Sequence, residues 1–207
     1  MYAERQAPAE VHTQFSLWRL LDRDHAFRPN LAADRAEQVG AALALRLDRG
    51  LDPAGVRWGA ELAVEAAAGT FDFVRPGITA RLGFPLPGRL AAALELAAGT
   101  SAGALPAQSR WYLGGPATVR GYDPLAAGGT AYWRARAELG TALPAARLAL
   151  FADAGWAGDR AAARTRPSLA AAGIGASFLD GLLRVDVARA LRPPTGWRLE
   201  LYADAAL

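Results

Sequence analysis

The sequence predicts an all-β protein, an antiparallel meander of the transmembrane β-barrel type, and three observations carry that expectation. From about Gln38 the chain repeats one unit, roughly ten residues of period-two polarity closed by a Gly, Pro or Asp turn. One face of the unit is mostly Leu, Ala and Val, while the other carries Arg with Glu or Asp in nearly every repeat. Tryptophans at or near the segment ends share the apolar face, as the aromatic girdle of a membrane barrel does.

Nine strands follow in order. VGAALALRLDRG (39–50) opens the meander, and in VRWGAELAVEA (56–66) Trp58, Ala60, Leu62 and Val64 alternate with Arg57, Gly59, Glu61 and Glu65. FVRPGITARLGF (73–84), RLAAALELAAG (89–99), AYWRARAELG (131–140), RLALFADAGW (147–156) and SLAAAGIGASFL (168–179) repeat the pattern. In LRVDVARA (183–190) Leu183, Val185 and Val187 oppose Arg184, Asp186 and Ala188, and WRLELYADAAL (197–207) is the last strand. VHTQFSLWRL (11–20) is a candidate tenth, and the rest of the lead segment 1–35, including DRDHAFRPN, matches no element. Segments of this length suit tilted bilayer-crossing strands, which take ~9–11 residues. By parity Trp58, Trp133, Trp156 and Trp197 fall on the apolar face. Connections 85–88, 141–146 and 179–181 are short, whereas 157–167 and 99–129 are long, the asymmetry expected of an outer-membrane barrel. Alternation alone leaves a soluble sandwich or barrel open, because there the same apolar face forms the core.

Composition removes several functions. All 23 basic residues are Arg, and the net charge of +3 is too small and scattered for a nucleic-acid partner. The chain has no Cys, which excludes disulfides, a thiol nucleophile and zinc-thiolate sites. His12 and His25 read as surface or loop residues, so no metal site and no cofactor is expected. No apolar run approaches the ~20 residues of a membrane-spanning helix. MYAERQAPAE lacks the basic start and apolar middle of a signal peptide, so the expectation is a cytoplasmic protein or a chain that starts downstream of its export signal.

Two motifs compete over residues 97–124. GTSAGAL (99–105) has the G-x-S-x-G form of a serine nucleophile elbow and resembles the serine motif of patatin-like lipases, with Ser101 and Asp180 of LDG as the implied dyad. Pro106 leaves no room for the helix an elbow needs, the only glycine-rich oxyanion candidate follows the serine, and no alternating strand–helix pattern surrounds it. Neither a catalytic residue nor enzyme activity is expected. The second motif is longer. RWYLGGPATVRGYDP (110–124) places an aromatic, Tyr112, before Gly114 and Gly115, and then Val119, Arg120, Gly121 and Tyr122. It is followed by a Glu-bearing strand with Glu138 and by Phe151, Asp153 and Gly155 as Phe-x-Asp-x-Gly.

This constellation resembles the Omp85 superfamily, of the BamA/TamA-like, bacterial surface antigen D15 type, over at least residues 38–207. The resemblance implies the C-terminal nine or ten strands of a sixteen-stranded barrel, in residues 36–207, with an in-folded loop at 100–130 and five strands after it. It implies that Gly114, Gly115, Val119, Arg120, Gly121 and Tyr122 form a lumenal loop motif anchored by Glu138 and Asp153. Strand parity adds that Glu138 and Asp153 lie on the same, non-lipid face of adjacent strands, where a charge-assisted contact with Arg120 would hold a loop. Implied partners are the lipid bilayer, unfolded outer-membrane or secreted β-rich polypeptides and other assembly-machinery subunits, at the bacterial cell outer membrane. Two features depart from the family: the terminal residue is Leu207 rather than Phe or Trp, and the periplasmic POTRA modules that precede most such barrels are not in this sequence.

Overall fold

The computed structural model describes residues 1–7, 31–50, 52, 55–141, 146–179 and 182–203. His12, His25, the candidate strand 11–20, Asp180 and Leu207 lie outside the described residues. The strands before the loop are the five-residue β1 (Tyr2–Gln6) and the longer β2 (Ala36–Arg49), β3 (Arg57–Gly69), β4 (Phe73–Leu86) and β5 (Leu90–Thr100). Three short ones come next: β6 (Ala102–Gly103), β7 (Trp111–Leu113) and β8 (Ala127–Gly129). Five more complete the fold: β9 (Ala131–Thr141), β10 (Ala146–Gly158), β11 (Leu169–Phe178), β12 (Leu183–Ala190) and β13 (Gly196–Tyr202).

Every long strand pairs antiparallel with its chain neighbour, giving the order β1-β2-β3-β4-β5-β9-β10-β11-β12-β13, with β6 on β4 and a separate β7-β8 hairpin. The nine expected strands all form. The lead segment contributes β1, which the polarity pattern did not reveal because five residues are too few to display it. Among the described residues β1 and β13 each pair on one side only, and the sheet is an open one.

The two faces are the reverse of a water-soluble sandwich. Val39, Leu43, Leu45, Trp58, Leu62, Ile78, Leu96, Trp133, Leu148, Leu150, Ile174, Trp197, Leu199 and Leu201 all point outward and are exposed. A contiguous apolar surface across the sheet is what a lipid-facing wall requires and what a soluble protein avoids. Trp156 shares their parity but is 7% exposed. The chain turns back there, so that a Cβ on Gly158 would meet the Trp156 ring at 2.8 Å and the Arg166 side chain at 3.4 Å. It is therefore not part of an exposed girdle.

The charged face is covered by the loop between β5 and β9. The β7-β8 hairpin forms its neck, where Trp111 stacks on Tyr132 of β9 at 4.5 Å and Arg75 of β4 lies 4.0 Å over the Trp111 ring. Leu113 and Ala127 of the neck, with Val119 and Tyr122 beyond it, bury against Ala157, Leu169, Ala171 and Ala190 of β10, β11 and β12. The main core thus lies between the sheet and its own loop. β9 and β12 are separated by two strands, ~14 Å on a flat sheet at ~4.8 Å per strand. Arg184 of β12 nevertheless reaches Glu138 of β9 at 2.9 Å, so this face is concave.

Candidate functional site

The site begins as a tight turn. Pro116 follows Gly115, Thr118 N–H donates to the Gly115 carbonyl at 3.1 Å, and Thr118 Oγ1 accepts the Gly114 N–H at 2.7 Å. Gly114 has φ +119, and a Cβ there would lie 2.0 Å from the Asp123 carbonyl oxygen, so only glycine fits. The returning strand is held by Gly115 N–H donating to the Tyr122 carbonyl at 3.0 Å. Val119 and Arg120, between those two anchor points, are 0% exposed.

Arg120 meets three strands at once. Its Nε donates to Asp153 Oδ2 at 2.7 Å and its Nη2 to Asp153 Oδ1 at 2.6 Å, a bidentate fork on β10 reinforced by its own backbone N–H to Oδ2 at 3.1 Å. Nη1 donates to Glu138 Oε1 on β9 at 2.5 Å and lies 3.4 Å from Asp186 Oδ2 on β12. The guanidinium plane rests 3.6 Å from the centre of the Phe151 ring. Burial alone would lower the basicity of Arg120, but the hydrogen bonds and charge of Asp153 and the charge of Glu138 outweigh it and raise its pKa above the ordinary value.

The structure therefore brings Glu138 and Asp153 together on Arg120, and it adds residues that the sequence reading did not single out. Arg184 donates to both Glu138 oxygens, at 3.1 and 2.9 Å, and to Asp186 Oδ1 at 2.9 Å. Tyr202 O–H on β13 donates to Asp186 Oδ2 at 2.6 Å. Asp186 is 0% exposed and acts as the second hub of the network. In the sequence it looked like one more inward charge of an alternating strand; its separation from Glu138 by 48 positions gave no sign that the two would share partners.

The other motif residues have steric or bridging roles. Gly121 has φ +78, a Cβ there would lie 3.2 Å from Ala188 Cβ and from the Ala190 amide nitrogen, and its N–H donates to Glu200 Oε1 on β13 at 3.3 Å. Tyr122 O–H bridges strand ends, within 2.9 Å of the Ala170 carbonyl and 2.8 Å of the Arg192 carbonyl. Gly155 completes Phe-x-Asp-x-Gly by absence of bulk, since a Cβ there would meet Leu113 at 2.8 Å and Val119 at 3.2 Å. Arg198 of β13 pairs with Asp123 in the loop. Tyr112 O–H donates to the Ala107 carbonyl at 2.7 Å.

Ser101 has a different environment from that of a nucleophile elbow. It stands where β5 passes into β6, is 2% exposed, and its hydroxyl donates to the Thr130 carbonyl at 2.7 Å. It is a buried residue between two strands that pins the root of the loop.

An apolar outer wall, a concave charged face and a loop sealed onto that face define the class: a sheet of the membrane β-barrel type with an in-folded loop. Residues 46–201 match the Omp85 superfamily domain, and the chain belongs to that superfamily. Its members are bacterial outer-membrane proteins and are generally non-enzymatic. No curated protein matches the chain.

Proposed function

We propose that residues 36–207 act as the barrel region of an Omp85-type protein in the bacterial outer membrane, assisting insertion, assembly or translocation of β-rich polypeptides. The observation that supports this most is Arg120, fully buried and bonded to carboxylates of β9, β10 and β12 beneath a wall whose other face is apolar. A loop so anchored performs no bond chemistry. It fixes the curvature of β9–β13, and through Glu200, Arg198 and Tyr202 it also fixes β13.

β13 pairs only with β12 among the described residues, which leaves a row of backbone N–H and C=O groups able to receive another strand. Hydrocarbon does not tolerate such an edge, so in the membrane further strands, a partner chain or a client must meet it. In this reading, the working part is β13 held ready by the loop, and Gly114, Gly115, Val119, Arg120, Gly121 and Tyr122 serve as the anchor with Glu138 and Asp153 as its sockets.

Reconstitution tests the reading. The protein in liposomes should accelerate folding of an added unfolded β-barrel client, and Arg120→Ala and Asp153→Ala should each abolish most of the acceleration. The double variant should be little worse than either, as for residues acting through one contact. Vesicles carrying the inserted protein that fold the client no faster than empty vesicles would refute the assembly role.

A further inference from the structure

The geometry points to a binding site for an anionic, phosphate-bearing lipid headgroup on the outer face of β11–β13, centred on Arg189. This rests on the reading that the outer face meets lipid. From β3 to β13, Arg189 is the one charged side chain among the described strand residues with outward parity. It is exposed, no carboxylate among the described residues pairs with it, and its guanidinium lies 5.5 Å from the centre of the outward Trp197 ring on β13.

The surface beside it is shaped. Ala137, Ala152, Ala172, Arg189 and Trp197 lie in one cross-strand row from β9 to β13. Ala135, Ala154 and Ala170 form the adjoining row. The row on one flank is Leu139, Leu150, Ile174, Val187 and Leu199, and on the other stands the exposed Trp133. Six alanines between taller side chains make a shallow trough that ends at the Arg189–Trp197 pair. An acyl chain fits the trough, and the cation meets its headgroup.

Charge complementarity selects an anionic headgroup. The two connections that flank β11 and β12 at this end, 159–168 and 191–195, carry exposed Arg160, Arg164, Arg166 and Arg192 against Asp159. Trp197 beside Arg189 is the pairing found where an amphipathic ring meets the headgroup level. A lone arginine merely extending to water would need neither the trough nor the basic rim.

The test uses the full chain inserted in phosphatidylcholine vesicles doped with phosphatidylglycerol, with lipids retained on the released protein counted by native mass spectrometry. Phosphatidylglycerol should be enriched over its bulk ratio, and Arg189→Gln should reduce that enrichment about fivefold, the factor given by ~1 kcal/mol per interfacial arginine. Arg189→Lys should retain most of it, and Arg49→Gln, outward at the opposite end, should leave it unchanged. Equal enrichment in parent and Arg189→Gln, with both inserted, overturns the lipid site alone. A chain that stays accessible to protease throughout, and never inserts, overturns the membrane reading and this site with it.

Discussion

The half of the sheet before the loop and the half after it are built from the same inward Arg and Glu or Asp residues, yet they use them differently. In β2–β5 the charges pair with register partners on the next strand: Arg46 with Glu61, Arg75 with Glu65, and Arg81 with Glu95. These pairs are open to solvent, with side chains up to 64% exposed. β9–β13 also have a register pair, Arg136 with Asp153, but here Glu138, Asp153 and Asp186 converge on Arg120 of the loop and Arg184 reaches Glu138 across two strands, with the Arg120, Asp153 and Asp186 side chains at 0% exposure. The same residue types are weak surface pairs in one half and a tertiary lock in the other, because only in the second half does a charged side chain of the loop insert among them.

Substitutions can break that contrast or sharpen it. The largest effect is expected for Arg120→Ala, which leaves Asp153 buried without its partner and should cost about 3–5 kcal/mol, read as a lowered unfolding midpoint in detergent and protease sensitivity within 104–130. Asp153→Ala should cost a similar amount, and the double variant should fall well short of the sum. Additive losses would show that the two do not act as one unit.

Gly155→Val should come next. It removes no charge but places a side chain where Leu113 and Val119 sit, so overpacking of about 1–3 kcal/mol should loosen the loop while the strand content by circular dichroism stays constant. A loop that remains protease-resistant in this variant would mean that the Leu113–Val119 contact does not hold it.

Tyr202→Phe deletes one hydrogen bond to Asp186, and about 1–2 kcal/mol should be lost, with proteolysis of the loop measurably faster because β13 and the network are linked. An unchanged proteolysis rate would separate β13 from the lock. Arg81→Gln, in the first half, should change the unfolding midpoint by less than about 0.5 kcal/mol. If it matches Tyr202→Phe, the two halves do not differ in the way their exposure suggests.

Much of this was legible in the chain itself. Period-two polarity fixed nine strands to within a few residues at their ends, because each is long enough to show several alternations. The glycines and the arginine of GGPATVRGY were visible as a motif, and Glu138 and Asp153 as inward carboxylates of neighbouring strands. β1 was too short to register. Trp156 had the parity of an exposed residue, and only the turn after Gly158 buried it.

The sequence by itself determined which residues share a face, since side chains of a strand must alternate and register carries that alternation across the sheet. It could not determine which face would be covered. That was decided by where the loop packs, and the loop's choice depends on close approach: glycines at 114, 121 and 155 leave room for backbone and for Leu113 and Val119. Nor could it name Asp186, Arg184 and Tyr202 as members of the network. The meeting of Arg184 with Glu138, which ties Asp186 and Tyr202 into the network, requires the sheet to curve until strands three places apart share partners, and curvature is a property of the assembled sheet.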